Sequence, residues 1–179
     1  MTAEDLGASY RAGCPVGPDS LRAVTMSYWG FDDMPHTGLM VVHVDVVSQV
    51  ETIFKALYDA RFPIRSMRPT SEYGGSDPAS MDADNTSSFN CRAAVAPGPP
   101  QWSVHAYGKA IDINTVENPY VEGGTVQPDA GAAYTDRGNV RAGMAVPGSA
   151  VNVAFASVGW FWGGRWSDPD YQHFSATGG

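Results

Sequence analysis

The sequence predicts an α+β fold, short strands with two helices among them, in a single domain over residues 21–179 behind an N-terminal arm of residues 1–20. Three observations carry this. Residues 45–62 set Val46, Val47, Val50, Ile53, Phe54, Leu57 and Tyr58 on one stripe at helical spacing. Several short runs have instead the β-branched density or the two-residue alternation of strands. The 179 residues show no internal repeat, and at 43% apolar they suffice for one core and exceed what a disordered chain carries.

Residues 1–19 are polar and broken by Gly13, Pro15, Gly17 and Pro18, which predicts an arm lying on the surface. Residues 23–29 read as a short strand, followed by a turn containing Gly30, Asp32, Asp33, Pro35 and Gly38. Residues 39–44 (LMVVHV) have the composition of a buried strand, with His43 in the core or on the sheet face; neither it nor His36 has a partner at ligand spacing. Asp45 is placed to cap the helix over 45–62, and Pro63 to stop it. Residues 64–68 and 87–94 (SSFNCRAA) read as strands, with Arg92 pointing out of the sheet. Between them, residues 69–86 read as loop, and its Asp77, Asp82 and Asp84 lack the glycine and terminal glutamate of a calcium loop, so solvated carboxylates are expected. Residues 96–100 (APGPP) form a rigid break. The irregular run from Thr115 to Val146 has a length that is usually functional or partly disordered. Ser149 caps a helix reaching Gly159, with Val151, Ala154, Phe155 and Val158 inward, and an aromatic, glycine-rich run (GWFWGGRW) leads to the last strand.

A net charge of -8 opposes nucleic-acid binding, because phosphates need a basic footprint, and it suits neither anionic membranes nor simple adhesion to anionic wall polymers. No apolar run approaches the roughly 20 residues of a membrane span. The two cysteines, Cys14 and Cys91, are the minimum for a disulfide that would tie the arm to a central strand. Two buried thiols are the alternative, and both readings stand.

The stretch SVHAYGKAIDIN (103–114) offers an imidazole at His105 and a carboxylate at Asp112; DPDYQHF (168–174) offers Asp170 and His173. Two imidazoles and a carboxylate form a common ligand set for catalytic zinc, and a remaining carboxylate can serve as general base. Gly108 allows a sharp turn between the first two ligands, and Ile111 and Ile113 alternate with Asp112 as in a strand with one buried face. Asp170 falls at the entry of the last strand, where it can act as the base. Arg92 is the candidate partner for a developing oxyanion, and Trp102, Ser103 and Tyr107 are candidates for substrate binding. Tyr120, Trp160, Trp162 and Trp166 could wall a cleft. Each spacing by itself is common by chance, and Arg92 could equally form a surface ion pair. A structural zinc would call for more cysteines than the chain has.

Together the motifs SSFNCR, WSVHAYGKAIDIN, NPY at 118–120 and DYQHF resemble the VanY-type D-alanyl-D-alanine carboxypeptidases, a family that includes the L-alanyl-D-glutamate endopeptidases of phage lysins. The likeness runs from about Leu21 onward. It implies an antiparallel sheet with flanking helices and long loops, as in Hedgehog and D-Ala-D-Ala peptidases, and one zinc ion per chain held by His105, Asp112 and His173. It implies Asp170 as base, where many members have Glu, and Arg92 as the group that polarises the scissile carbonyl. Ser103 matches a serine two residues before the first ligand, while Asp168 reads as a turn residue. The implied activity is a zinc peptidase acting as a monomer on peptidoglycan stem peptides outside the cytoplasm. The opening residues lack the apolar core of a secretion signal, so delivery is expected after leader removal or through a phage holin. A non-hydrolytic module binding wall peptide on the same fold is the second reading, and Asp170 discriminates, since a binder needs no base. For exo- against endo-cleavage, Arg137 and Arg141 are candidates for a clamp on a terminal carboxylate.

Overall fold

The computed structural model describes residues 1–95 and 99–178, so the break at 96–100 falls largely outside the described residues. The class is α+β, as expected, but the antiparallel strands make three small sheets instead of one. Strand β1 (Leu21–Trp29) pairs with β2 (Pro35–His43) in a hairpin along their whole length. Strands β3 (Ala110–Asp112) and β6 (Phe161–Trp162) flank the central β7 (His173–Ser175), and β4 (Tyr120–Glu122) pairs with β5 (Thr125–Gln127).

Helix α2 (Val47–Asp59) buries Val50, Ile53, Phe54 and Leu57, the predicted stripe, against the inner face of the hairpin and against α4 (Ala150–Ser157). It begins two residues later than predicted, because Val44–Val46 forms a 3₁₀ turn whose Asp45 N–H donates to His43 Nδ1 at 3.2 Å. The Asp45 carboxylate is thereby diverted from capping and pairs with Lys109 at 2.9 Å. Ser149 does occupy the N-cap of α4, but its hydroxyl accepts from the Val146 N–H and not from the helix.

Three expectations need correction. Residues 64–68 and 87–94 are extended but not strands: each pairs only through isolated bridges, Met67 with Thr86, Ser87 with Asp112 and Ala93 with Trp102. The 69–86 loop contains a 3₁₀ turn (Thr70–Tyr73) and helix α3 (Asp77–Asp82), capped by the Ser76 hydroxyl. The arm does not simply lie on the surface. Its short helix α1 (Ala3–Leu6) buries Leu6 in a second apolar cluster with Leu21, Val41 and Phe89.

That cluster is fastened by a disulfide between Cys14 and Cys91, 77 residues apart. Closing so long a loop removes chain entropy from the unfolded state. The Cys14→Ser/Cys91→Ser double variant is expected to lose about 2–5 kcal/mol in urea unfolding. A change below about 0.5 kcal/mol would mean that the arm is held by packing alone.

The long 115–146 segment is anchored by side chains that reach backbone far away in sequence. Asn118 Nδ2 donates to Ile113 and Gly143 carbonyls, and its Oδ1 accepts from Arg137 and the Ala145 N–H. Arg65 spans Asp84 (3.2 Å) and Glu117 (3.3 Å) and stacks on Phe31. Asp84 is therefore a buried strut, not the solvated loop carboxylate expected.

One cation against two buried carboxyls leaves Glu117 undercompensated: burial first, and then Asp84, push its pKa from 4.5 up to about 7. Between those values the folded state keeps a proton that the unfolded chain has released. This group's contribution to stability therefore falls as pH rises from 4.5 to about 7. Glu117→Gln is expected to flatten that slope, on the order of 3 kcal/mol across the window, in unfolding curves at closely spaced pH. An unchanged slope would assign it to other groups.

Candidate active site

His105 is delivered by a 3₁₀ turn, Val104–Tyr107, whose N-cap Ser103 accepts the His105 N–H at 3.3 Å. Gly108 ends the turn at φ 64°, and a Cβ there would come within 2.7 Å of the His43 backbone nitrogen. A residue with a side chain would be strained on both counts. The chain then enters β3, where antiparallel register sets Asp112 directly opposite His173 of β7. The neighbouring pair, Ile111 and Phe174, lies in the main core and fixes which face the ligands take.

The three side chains are buried and converge. His105 Nε2 lies 3.2 Å from Asp112 Oδ2 and 3.1 Å from His173 Nδ1, and His173 Nδ1 lies 3.3 Å from Asp112 Oδ1. Ligand atoms held ~2.0–2.1 Å from a tetrahedral zinc are about 3.3 Å apart, so the spacing fits such an ion. The tautomer fits as well. The Ser88 carbonyl, 2.8 Å from His105 Nδ1, can only accept a hydrogen bond, so Nδ1 carries a proton, and in the tautomer that binds metal the Nε2 lone pair points toward the carboxylate. A cation between them removes that repulsion, and a backbone carbonyl behind a histidine is the usual way to orient a metal ligand. Burial penalises the Asp112 charge, but positive charge on His105 and His173, when these rings are protonated, outweighs it and holds the carboxyl far below its usual range, so the carboxylate favours a cation facing it.

Beside this centre opens a cleft of about 440 Å³. Asp170 lines it, fixed by its N–H to the Gly163 carbonyl and by a bridge to Tyr120 of β4. Its Oδ1 is buried without a hydrogen-bond partner among the described residues. Burial pushes the Asp170 pKa up to about 6, opposed by His173 and reinforced by Asp112. Arg92 also lines the cleft and pairs with Asp77 at 3.0 Å, leaving Nε buried without an acceptor among the described residues.

Of the substrate candidates, Trp102 and Ser103 line the cleft, whereas Tyr107 is 38% exposed and is not among the lining residues. Tyr120 and Trp166 wall it, but Trp160 and Trp162 belong to the core, their indole N–H groups bound to Gln49 and to the Tyr171 carbonyl. Arg137 and Arg141 are not among the lining residues either. Arg137 is spent on the Glu117, Tyr134 and Ala145 carbonyls and on Asn118; Arg141 sits over the Tyr134 ring and donates to Ala133. Sequence reasoning missed Ser88, which acts through its backbone and so leaves no side-chain signal. It also read Asp168 as a turn residue; Asp168 and Glu122 both line the cleft.

Two imidazoles and a carboxylate at tetrahedral spacing, with a further buried carboxyl at the edge of an open cleft, provide what metal-assisted amide hydrolysis requires, and the protein falls in the class of metallopeptidases. The comparison with known families narrows the class. Residues 97–176, somewhat less than half of the chain, match the family described as D-alanyl-D-alanine carboxypeptidase; His105, Asp112, Asp170 and His173 lie inside the matched segment and Arg92 outside it. No curated protein and no solved structure matches the chain.

Proposed function

We propose that the chain is a zinc-dependent endopeptidase cutting an amide bond within peptidoglycan stem peptides at the cell wall. The observation that carries the hydrolytic reading is the triangle of ligand atoms at 3.1–3.3 Å beside the Asp170 carboxyl in the cleft. His105, Asp112 and His173 would hold the ion. When bound, it would supply Lewis acidity and make water nucleophilic near neutral pH. Asp170 takes the proton of the attacking water and returns it to the departing nitrogen, so that the C–N bond breaks with an amine as leaving group. Arg92 donates to the carbonyl oxygen as negative charge builds there.

The preference for internal cleavage rests on charge. A carboxypeptidase must hold a free terminal carboxylate. Here Glu122, Asp168 and Asp170 line the cleft, and Arg92, the only arginine or lysine among its described lining residues, is the group assigned to the scissile carbonyl. A terminal carboxylate would meet like charge, whereas a neutral backbone would not.

The test compares stem peptides with a free or an amidated C-terminus, with products read by mass spectrometry. Equal cleavage of both at an internal bond is the expected result. Release of the terminal residue from the free peptide only would make the enzyme a carboxypeptidase. No cleavage of either, with metal bound, would point to the binding module.

A further inference from the structure

A second concavity of about 340 Å³ adjoins the cleft, and it has no part in the chemistry described above. Its volume lies within the ~300–1,000 Å³ of small-molecule sites. Two aromatic rings are on its open surface, Phe161 at 57% exposed and Trp166 at 40%, beside the equally exposed Val153. Behind it the Phe155 ring packs against those of Trp160 and Phe174 in the core. Two nitrogen-bearing side chains share the lining. Arg165 makes no hydrogen bond or ion pair among the described residues, and Asn152 has Nδ2 buried without an acceptor among them. Trp166 lines both concavities, with its ring 5.4 Å from that of His173.

We propose that this groove is a saccharide subsite that takes a sugar of the glycan strand while the attached stem peptide lies in the cleft. The inference rests on the peptidoglycan reading above and adds a second recognition element to it. A pyranose presents C–H groups on its faces and hydroxyls around its rim. The electron-rich faces of Phe161 and Trp166 suit the former. The guanidinium of Arg165 and the Asn152 amide suit the latter. A purely apolar partner would leave both donors unsatisfied, at a desolvation cost. Continuity through Trp166 decides among polar occupants, because the polymer whose peptide enters the cleft carries its sugars covalently beside it.

The metal-loaded protein and its Phe161→Ala and Arg165→Ala variants would be assayed on a stem peptide with and without its disaccharide. Phe161 contributes backbone pairing to β6, which alanine retains, and it is not part of the catalytic cleft. The kcat/KM for the sugar-bearing substrate should exceed that for the bare peptide by about tenfold, which corresponds to about 1.4 kcal/mol. The advantage should shrink several-fold in each variant, while bare-peptide turnover stays at the wild-type rate. An advantage absent in the wild type, or unchanged in both variants, overturns the subsite. If neither substrate is cut, the hydrolytic reading fails separately, and binding still decides the groove. A β-1,4-linked N-acetylglucosamine tetrasaccharide should then shift the Trp166 fluorescence of the wild type and not of Phe161→Ala; no shift in the wild type overturns the proposal.

Discussion

Asp170→Asn is expected to keep the fold and the bound metal while turnover falls by about 10²–10⁴-fold, the range for removal of a general base. Asparagine has nearly the same shape but cannot accept the proton. The position tolerates the change because the backbone holds it: the Asp170 N–H is bound to the Gly163 carbonyl, and Tyr120 is bridged to Asp170. Gly163 packs so closely that a Cβ there would come within 2.8 Å of the Asp170 carbonyl oxygen, so this approach is built into the fold. With the carboxyl's Oδ1 lacking any hydrogen-bond partner among the described residues, its replacement breaks no hydrogen bond at that atom. Turnover within about twofold of the wild type, at equal metal content, would remove Asp170 from the mechanism.

Asp112→Asn is expected to cost more, because it removes a ligand and not a proton acceptor. The carboxylate faces both imidazoles, at 3.2 and 3.3 Å, and supplies the one negative charge in the ligand set. Loss of an outer hydrogen-bond partner already weakens metal binding by about 10–100-fold, and loss of this ligand should exceed that. After dialysis against dilute chelator the variant should retain no stoichiometric zinc by elemental analysis and show no measurable hydrolysis. Stoichiometric zinc with wild-type turnover would take Asp112 out of the site.

The parts of this site that could be read from the sequence are those that sit in local patterns. Ile111 and Ile113 alternating with Asp112 announced a strand, though one buried on both faces and not on one, and Gly108 announced the turn that brings His105 back to it. The pairing of Asp112 with His173 follows from strand register, 61 residues apart; the residue types suggested the set, and the resemblance of the surrounding motifs matched each residue to a ligand. The anchoring of the long loop left no local trace. Arg137 looked like a free cation because its partners are mostly backbone carbonyls, which every residue has. Asp84 looked solvated because Arg65, which neutralises it, is 19 residues away. Helix α3 was legible in principle, since Ser76 followed by Pro78 is an N-cap with proline in the first turn, but the density of loop-forming residues masked it. The short extended runs at 64–68 and 87–94 have strand-like composition without the partners that would make them strands.

The central claim is that His105, Asp112 and His173 hold the metal on which cleavage depends. Its most direct test is the release of new amino groups from purified crosslinked peptidoglycan, by protein stripped of metal and then titrated with zinc. The account predicts no release from the stripped protein and a return of activity that saturates at one equivalent of zinc per chain. Undiminished release by verified metal-free protein would contradict it.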